Sequence, residues 1–221
     1  MSQSNYLITK KVMPKFFLSL LITFAGMVIG AMFIPPAIAI FMPIFAIVLL
    51  IFAFFAKGKR SKTKKYDYAS SRMTLGMPFV YFLAFILGIG MYPAIAHYLS
   101  DIGATYVLLG LGVTTVIFGG LALYAYKTKE DFSNMGAFLF VSLLALILLS
   151  IAGFFIQATL FHIVLSIAGV VIFSGYILYD ISCMKRADFT EEDVPMAVLD
   201  LLLDFINIFL DVLRLISIFK N

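Results

Sequence analysis

A succession of apolar runs, each close to membrane-spanning length, constrains this chain more than any other feature. Crossing the hydrocarbon as a helix takes about 20 apolar residues, and such runs lie near 16–34, 37–56, 76–96, 104–126, 135–156, 161–182 and 195–219. The pattern predicts an all-α membrane protein of seven transmembrane helices, with the whole chain, 1–221, forming one membrane domain. Composition agrees, because 63% of the residues are hydrophobic and only 13% charged, against about one quarter charged in soluble domains. The mean hydropathy is +1.08. The first run is too long, and lacks the small-residue cleavage site, for a removed signal peptide. Pro35 and Pro36 mark a tight turn between the first two runs, while Pro43, Pro78 and Pro93 fall near helix ends or introduce kinks. The seventh helix is expected to begin between Thr190 and Pro195, where a Thr, three acids and a Pro build a helix N-terminus.

The net charge of +4 raises the question of a nucleic-acid partner, and the position of the charge answers it. Seven of the 16 Lys and Arg residues fall between Lys57 and Arg72, in a loop at about 57–74 beside a membrane segment. Such a run reads as a cytoplasmic topology signal or an anionic-lipid contact, not as a nucleic-acid site. Counted by side, 14 basic residues lie in the N-terminal segment and alternate loops, against Lys220 alone on the other side, with Arg214 inside the last helix. The positive-inside rule then puts the N-terminus in the cytoplasm and the C-terminus outside. Cys183 is the only cysteine, which leaves no internal disulfide, Cys-based metal site or redox pair.

The last run carries Asp200, Asp204, Asn207, Asp211 and Arg214, spaced by 4, 3, 4 and 3, so all five share one helical face. Three aspartates there cost on the order of 8 to 10 kcal/mol to insert unless paired or hydrated. Asp180, near the cytoplasmic end of the sixth helix, is by itself either a headgroup-level carboxylate or a partner for this stripe. Because the sixth and seventh helices are antiparallel and joined by a short loop, Asp180 can meet Asp200 or Asp204. Two carboxylates held close in low dielectric share a proton, and one then titrates well above the normal value of about 4. Such a dyad is a proton sensor. Asp211 and Arg214 are placed to pair with each other, with Arg214 also able to snorkel outward. Asn207 serves equally as an interhelical hydrogen-bond donor or as a pathway residue.

The remaining polar groups read as structural. His97, Asp101 and His162 fall at outer helix ends, where solvated roles are the default, and neither His has a second ligand at metal spacing. Gly88, Gly90, Gly110, Gly112, Gly119 and Gly120, with Thr114 and Thr115, read as small-residue packing faces, since no strand precedes them to make a phosphate loop. No Ser nucleophile has a G-x-S-x-G context, and no enzyme activity or cofactor is expected.

Two families place an aspartate pair on successive helices. The intramembrane aspartyl proteases share Tyr179-Asp180, but Leu201-Leu202-Leu203-Asp204 stands where their glycines admit substrate, and no Pro-Ala-Leu follows. Gly175-Tyr176-Ile177-Leu178-Tyr179-Asp180, then Pro195, Leu203-Asp204-Phe205-Ile206-Asn207-Ile208-Phe209 and Leu213-Arg214, closely resemble the transmembrane Bax inhibitor motif family, above all its small bacterial members. The resemblance implies seven helices with the C-terminal one central and the other six around it. It also implies a pH-sensitive calcium leak gated by a hydrogen-bonded aspartate pair, here Asp180 and Asp204, where calcium binds transiently. A basic latch for the first aspartate falls by the same resemblance on Lys57, which lacks the bidentate geometry of an arginine. Positions acidic in some relatives are Ala46 and Gly110 here. Calcium ions, protons and membrane lipids are then the partners, and a bacterial plasma membrane the location. The competing expectations are an intramembrane aspartyl protease and a non-conducting regulatory scaffold.

Overall fold

Proline placement sets where the first helices break, in a computed structural model that describes residues 3–57, 76–153, 155–156, 158–186 and 188–220, the side chains of 3 and 52–57 excepted. Helix α1 (Gln3–Leu7) runs through a π-helical turn, Ile8–Val12, into α2 (Met13–Phe33). Ile34 is extended, at φ −117° and ψ 123°, the conformation forced on a residue that precedes proline. Pro36 opens α3 (Pro36–Ala39) at a position where its missing N–H is not needed. Pro43 cannot donate a helical hydrogen bond, and its ring excludes the carbonyl four residues back, so α4 (Met42–Lys57) starts separately. The second expected span is therefore two helices, the longer of 16 residues. The basic loop at about 57–74 lies outside the described residues, apart from the backbone of Lys57.

Beyond it come α5 (Met77–Asp101), α6 (Ala104–Lys127), α7 (Gly136–Ala152), α8 (Thr159–Met184) and α9 (Val194–Lys220). Gly103, at φ 85°, makes the turn from α5 to α6, in the left-handed region that favours glycine. No β-strand occurs among the described residues. Among the described residues, five helices are long and apolar enough to cross a membrane: Ser4–Phe33, Met77–Asp101, Ala104–Lys127, Ser133–Ala152 and Thr159–Met184. Helix α9 is long enough at 27 residues but carries Asp200, Asp204, Asp211 and Arg214 in its interior, so the expected count of seven is not reached on length and composition. The first helix also starts well before residue 16. Ile8, Val12, Phe16, Ser19, Thr23, Gly26 and Gly30, at steps of three and four, form one buried stripe along it.

The chain packs as two units. In the first, Tyr6–Ile95 with Thr190–Leu199, α2 and α5 approach at backbone distance. Gly26 lies against the Phe85 carbonyl and Gly88 against the Thr23 carbonyl, with no room for a Cβ at either. Lipid gives helices no hydrophobic drive to associate, so close packing of small residues supplies the attraction. Tyr92 donates its hydroxyl to the Ile34 carbonyl, and Ala39, Ile89 and Tyr92 form a small core with Met27, Ile34, Met42 and Phe85.

In the second unit, Ser2–Asn5, Ala96–Phe189 and Asp200–Asn221, α8 packs against α6 and α7. Phe118 of α6 meets Phe205 of α9 edge-on at 5.5 Å between ring centroids. Gly110 faces Leu213, and Gly175 faces Leu139. Lys185 closes α6: its Nζ donates to the Ala125 carbonyl at 2.9 Å and the Thr128 carbonyl at 2.6 Å, groups that a helix C-terminus leaves unpaired. Gly112, Gly119 and Gly120 do not pack as expected, since an added Cβ meets nothing within 4 Å at any of them. The buried face of α6 is instead Val107, Gly110, Thr114, Phe118 and Ala125. Large apolar side chains such as Val116, Phe138 and Leu148 are exposed, as lipid-facing positions require.

Candidate functional site

Asp180 lies in the last turns of α8 and Asp204 in the third turn of α9. Their carboxyl groups lie within reach of each other, and Asp200, one turn before Asp204, acts electrostatically on both. An ionised carboxylate only accepts hydrogen bonds. Contact between two carboxyls therefore requires a proton on one of them. Asp204 is 5% exposed, and its Oδ2 is buried with no hydrogen-bond partner among the described residues. Tyr176 stands close to all three carboxylates, and its ring meets Tyr179 edge-on at 6.5 Å. Leaving charged groups buried and incompletely paired costs several kcal/mol, so this cluster adds nothing to fold stability that apolar residues would not exceed. What it can do is take up a proton or attract a passing cation. Among the described residues no group of three or more His, Cys, Asp or Glu is disposed to hold a metal ion.

Further along α9 the stripe serves other ends. The Asn207 amide donates to the Leu203 carbonyl of its own helix at 2.7 Å, so this donor satisfies a helical carbonyl, not a neighbouring helix. Asp211 Oδ1 lies 3.8 Å from Arg214 Nη1. The Asp211 carboxylate is seated on the backbone of α8 at Gly169, where a Cβ has no room. Tyr98 of α5 stands beside the Arg214 guanidinium. Asp101, expected to be solvated, accepts the Ser217 hydroxyl at 2.5 Å, and Lys220 donates to the Ile102 carbonyl at 3.0 Å. His97 is exposed, and His162 Nε2 is 2.9 Å from the Ile156 carbonyl. The Lys57 side chain lies outside the described residues.

Thus a carboxylate cluster, Asp204 buried and Asp180 and Asp200 half-buried, sits on the final two helices of an apolar, all-helical chain. The family described as "Inhibitor of apoptosis-promoting Bax1" matches residues 4–221. The chain belongs to that family. Its relatives by sequence include an uncharacterized Helicobacter pylori protein (strain J99), 31% identical over 155 residues, covering 70% of this chain and 66% of that protein. A Vibrio cholerae membrane protein is 28% identical over 198 residues, 89% of this chain and 82% of its own length. A vaccinia virus (strain Lister) Golgi anti-apoptotic protein is 38% identical over 112 residues, 51% of this chain and 47% of its own. Membership in the Bax inhibitor family, with these apolar helices, makes the chain an integral membrane protein.

Within this member of the family, several residues near the stripe escape single-sequence reading. Tyr176 and Tyr179 belong to the motif around Asp180, yet only the folded chain places Tyr176 beside all three carboxylates. Gly169 carries no signal of its own until α8 and α9 are set in register. Thr114, read from the sequence as part of a packing face, and Ser166, which no sequence pattern marks, have buried hydroxyls without a hydrogen-bond partner among the described residues.

Proposed function

We propose that this protein is a pH-sensitive calcium leak across a bacterial plasma membrane, gated by Asp180 and Asp204. The observation that carries this reading is the proximity of these two carboxyls, with Asp200 acting on both and the buried Asp204 Oδ2 without a hydrogen-bond partner among the described residues. With one proton between them, the two carboxyls hold the cytoplasmic ends of α8 and α9 together. Ionised Asp180 also offers a charge for Lys57 to hold. Acid neutralises that charge, releases the latch and favours opening, so calcium flux rises as pH falls. Weak successive contacts suit a permeating ion better than the six to eight oxygens of a tight calcium site.

The full topology belongs to the same reading. Five apolar spans, the broken α3–α4 pair and α9 make seven crossings, with α9 innermost and the N-terminus cytoplasmic. Burial of Leu201, Leu202, Ile208 and Leu213 supports an inner place for α9. The protein then acts on calcium ions within the lipid bilayer, without enzymatic chemistry, resident cofactor or nucleic acid.

Flux from liposomes holding the purified protein tests the proposal. Replacing both Asp180 and Asp204 with Asn is expected to abolish the change in calcium flux between about pH 6 and pH 8. An unaltered pH profile in the double variant sinks it. The name of the vaccinia relative favours a second reading, a non-conducting regulator of cell survival. Absence of any calcium flux from well-folded wild-type protein would select that reading.

A further inference from the structure

A cavity of about 280 Å³ lies where the C-terminal ends of α5 and α9 meet the N-terminal end of α8. From Asp204 to Ser217 is 13 residues of helix, about 20 Å, so this cavity is remote from the carboxylate cluster. Its polar lining is His97, Tyr98, Thr159, His162, Arg214 and Ser217, with no acid among them. The two acids nearby are engaged. Asp101 takes the Ser217 hydroxyl, and Asp211 makes one 3.8 Å contact to a single terminal nitrogen of Arg214. A guanidinium has five N–H donors in a planar fork. With Asp211 near only one terminal nitrogen, donors remain for the cavity that Arg214 lines.

Tyr98 lies beside the Arg214 guanidinium in the cavity wall, and its hydroxyl is able to donate. Thr159 adds a hydroxyl and His97 an exposed imidazole, whereas His162 is engaged with the Ile156 carbonyl. A fixed cation ringed by neutral donors, with nearby acids already paired, is the donor set that recognises a tetrahedral oxyanion. We propose that this cavity is a phosphate-binding site, anchored by Arg214 with Tyr98, Thr159 and His97 as surrounding donors. The phosphate belongs either to a phospholipid headgroup at the membrane boundary or to the free ion. This site does not depend on the calcium reading.

The test titrates full-length purified protein with inorganic phosphate against chloride at matched ionic strength, and with short-chain phosphatidic acid against diacylglycerol. Saturable binding of phosphate, read by thermal unfolding, assigns the site to the free ion. Binding of phosphatidic acid without diacylglycerol or inorganic phosphate assigns it to a headgroup. In either case Arg214→Lys, which keeps the charge and loses the fork, is expected to weaken binding about tenfold. Thr159→Val, which leaves every charge in place, is expected to weaken it severalfold and covers the case in which the Arg214 variant misfolds. The proposal is overturned if wild type binds neither ligand, or if the folded variants bind as tightly as wild type.

Discussion

At Gly169 the α8 backbone receives the Asp211 carboxylate where any larger residue would place its Cβ. Gly169→Ala must therefore push α8 from α9 or expel the carboxylate, and overpacking of this kind costs about 1–3 kcal/mol. A lower midpoint in denaturant unfolding is the expected outcome, and an unchanged midpoint would show the carboxylate free to move aside. Asp131 provides a control for pH. Its carboxylate accepts the Ser133 backbone N–H at 2.9 Å, and that bond, then the Ser133 side chain, holds its pKa below the ordinary 3.8. A depressed carboxyl pKa stabilises the fold above the ordinary value and loses that effect only as pH falls through the folded value. The turn before α7 is thus unaltered between about pH 6 and 8. Flux from Asp131→Asn should keep the wild-type pH profile; a lost profile would move the sensor away from the aspartate pair.

At the scale of elements, helix ends were the most legible feature. Thr190, three acids and Pro195 foretold the start of α9, and there Thr190 N–H bonds Asp193 Oδ2 at 2.9 Å in a capping box on the 3-10 turn Glu191–Asp193 that leads into α9, because capping chemistry is confined to four neighbouring residues. Thr190→Ala should cost about 1 kcal/mol, seen as faster amide exchange in the turn Glu191–Asp193 and the start of α9 with later turns unaffected. Lys185, by contrast, caps a helix 57 to 60 residues away in sequence, a partnership that no local pattern reveals. Lys185→Met strips two carbonyls of their donor and should lower stability by about 1–2 kcal/mol; a thermal midpoint equal to wild type would mean that water replaces the ammonium. The breaks were legible only in part. Pro35 and Pro36 mark a turn and Pro43 lies at a helix end, as expected, but that helix end divides what reads as a single span.

For the whole molecule, the charge distribution predicts opposite sides for the two termini. In sealed vesicles of a Cys183→Ser background, single cysteines at Lys10 and Lys220 should react with an impermeant maleimide from opposite faces. Labelling of both from one face would require an even number of crossings. The apolar runs announced a helical membrane protein because hydropathy is additive over about 20 residues, and family membership bears that class out. They overstated the uniformity of the helices. The first is 30 residues long, and α9 is too charged to pass for an apolar span.

The sequence by itself determined the helical class, the capped start of α9 and the polar face of Asp200, Asp204, Asn207, Asp211 and Arg214, because helix periodicity and capping are set within a few residues of chain. Only the tertiary structure decided which groups meet: Asp180 with Asp204, Asp211 on Gly169, Arg214 with Tyr98, and the inward face of α6. Those pairings depend on the rotation and register of helices far apart in sequence. In a bilayer that register follows from close fit between small residues and opposing backbones, which one strand of sequence does not encode locally.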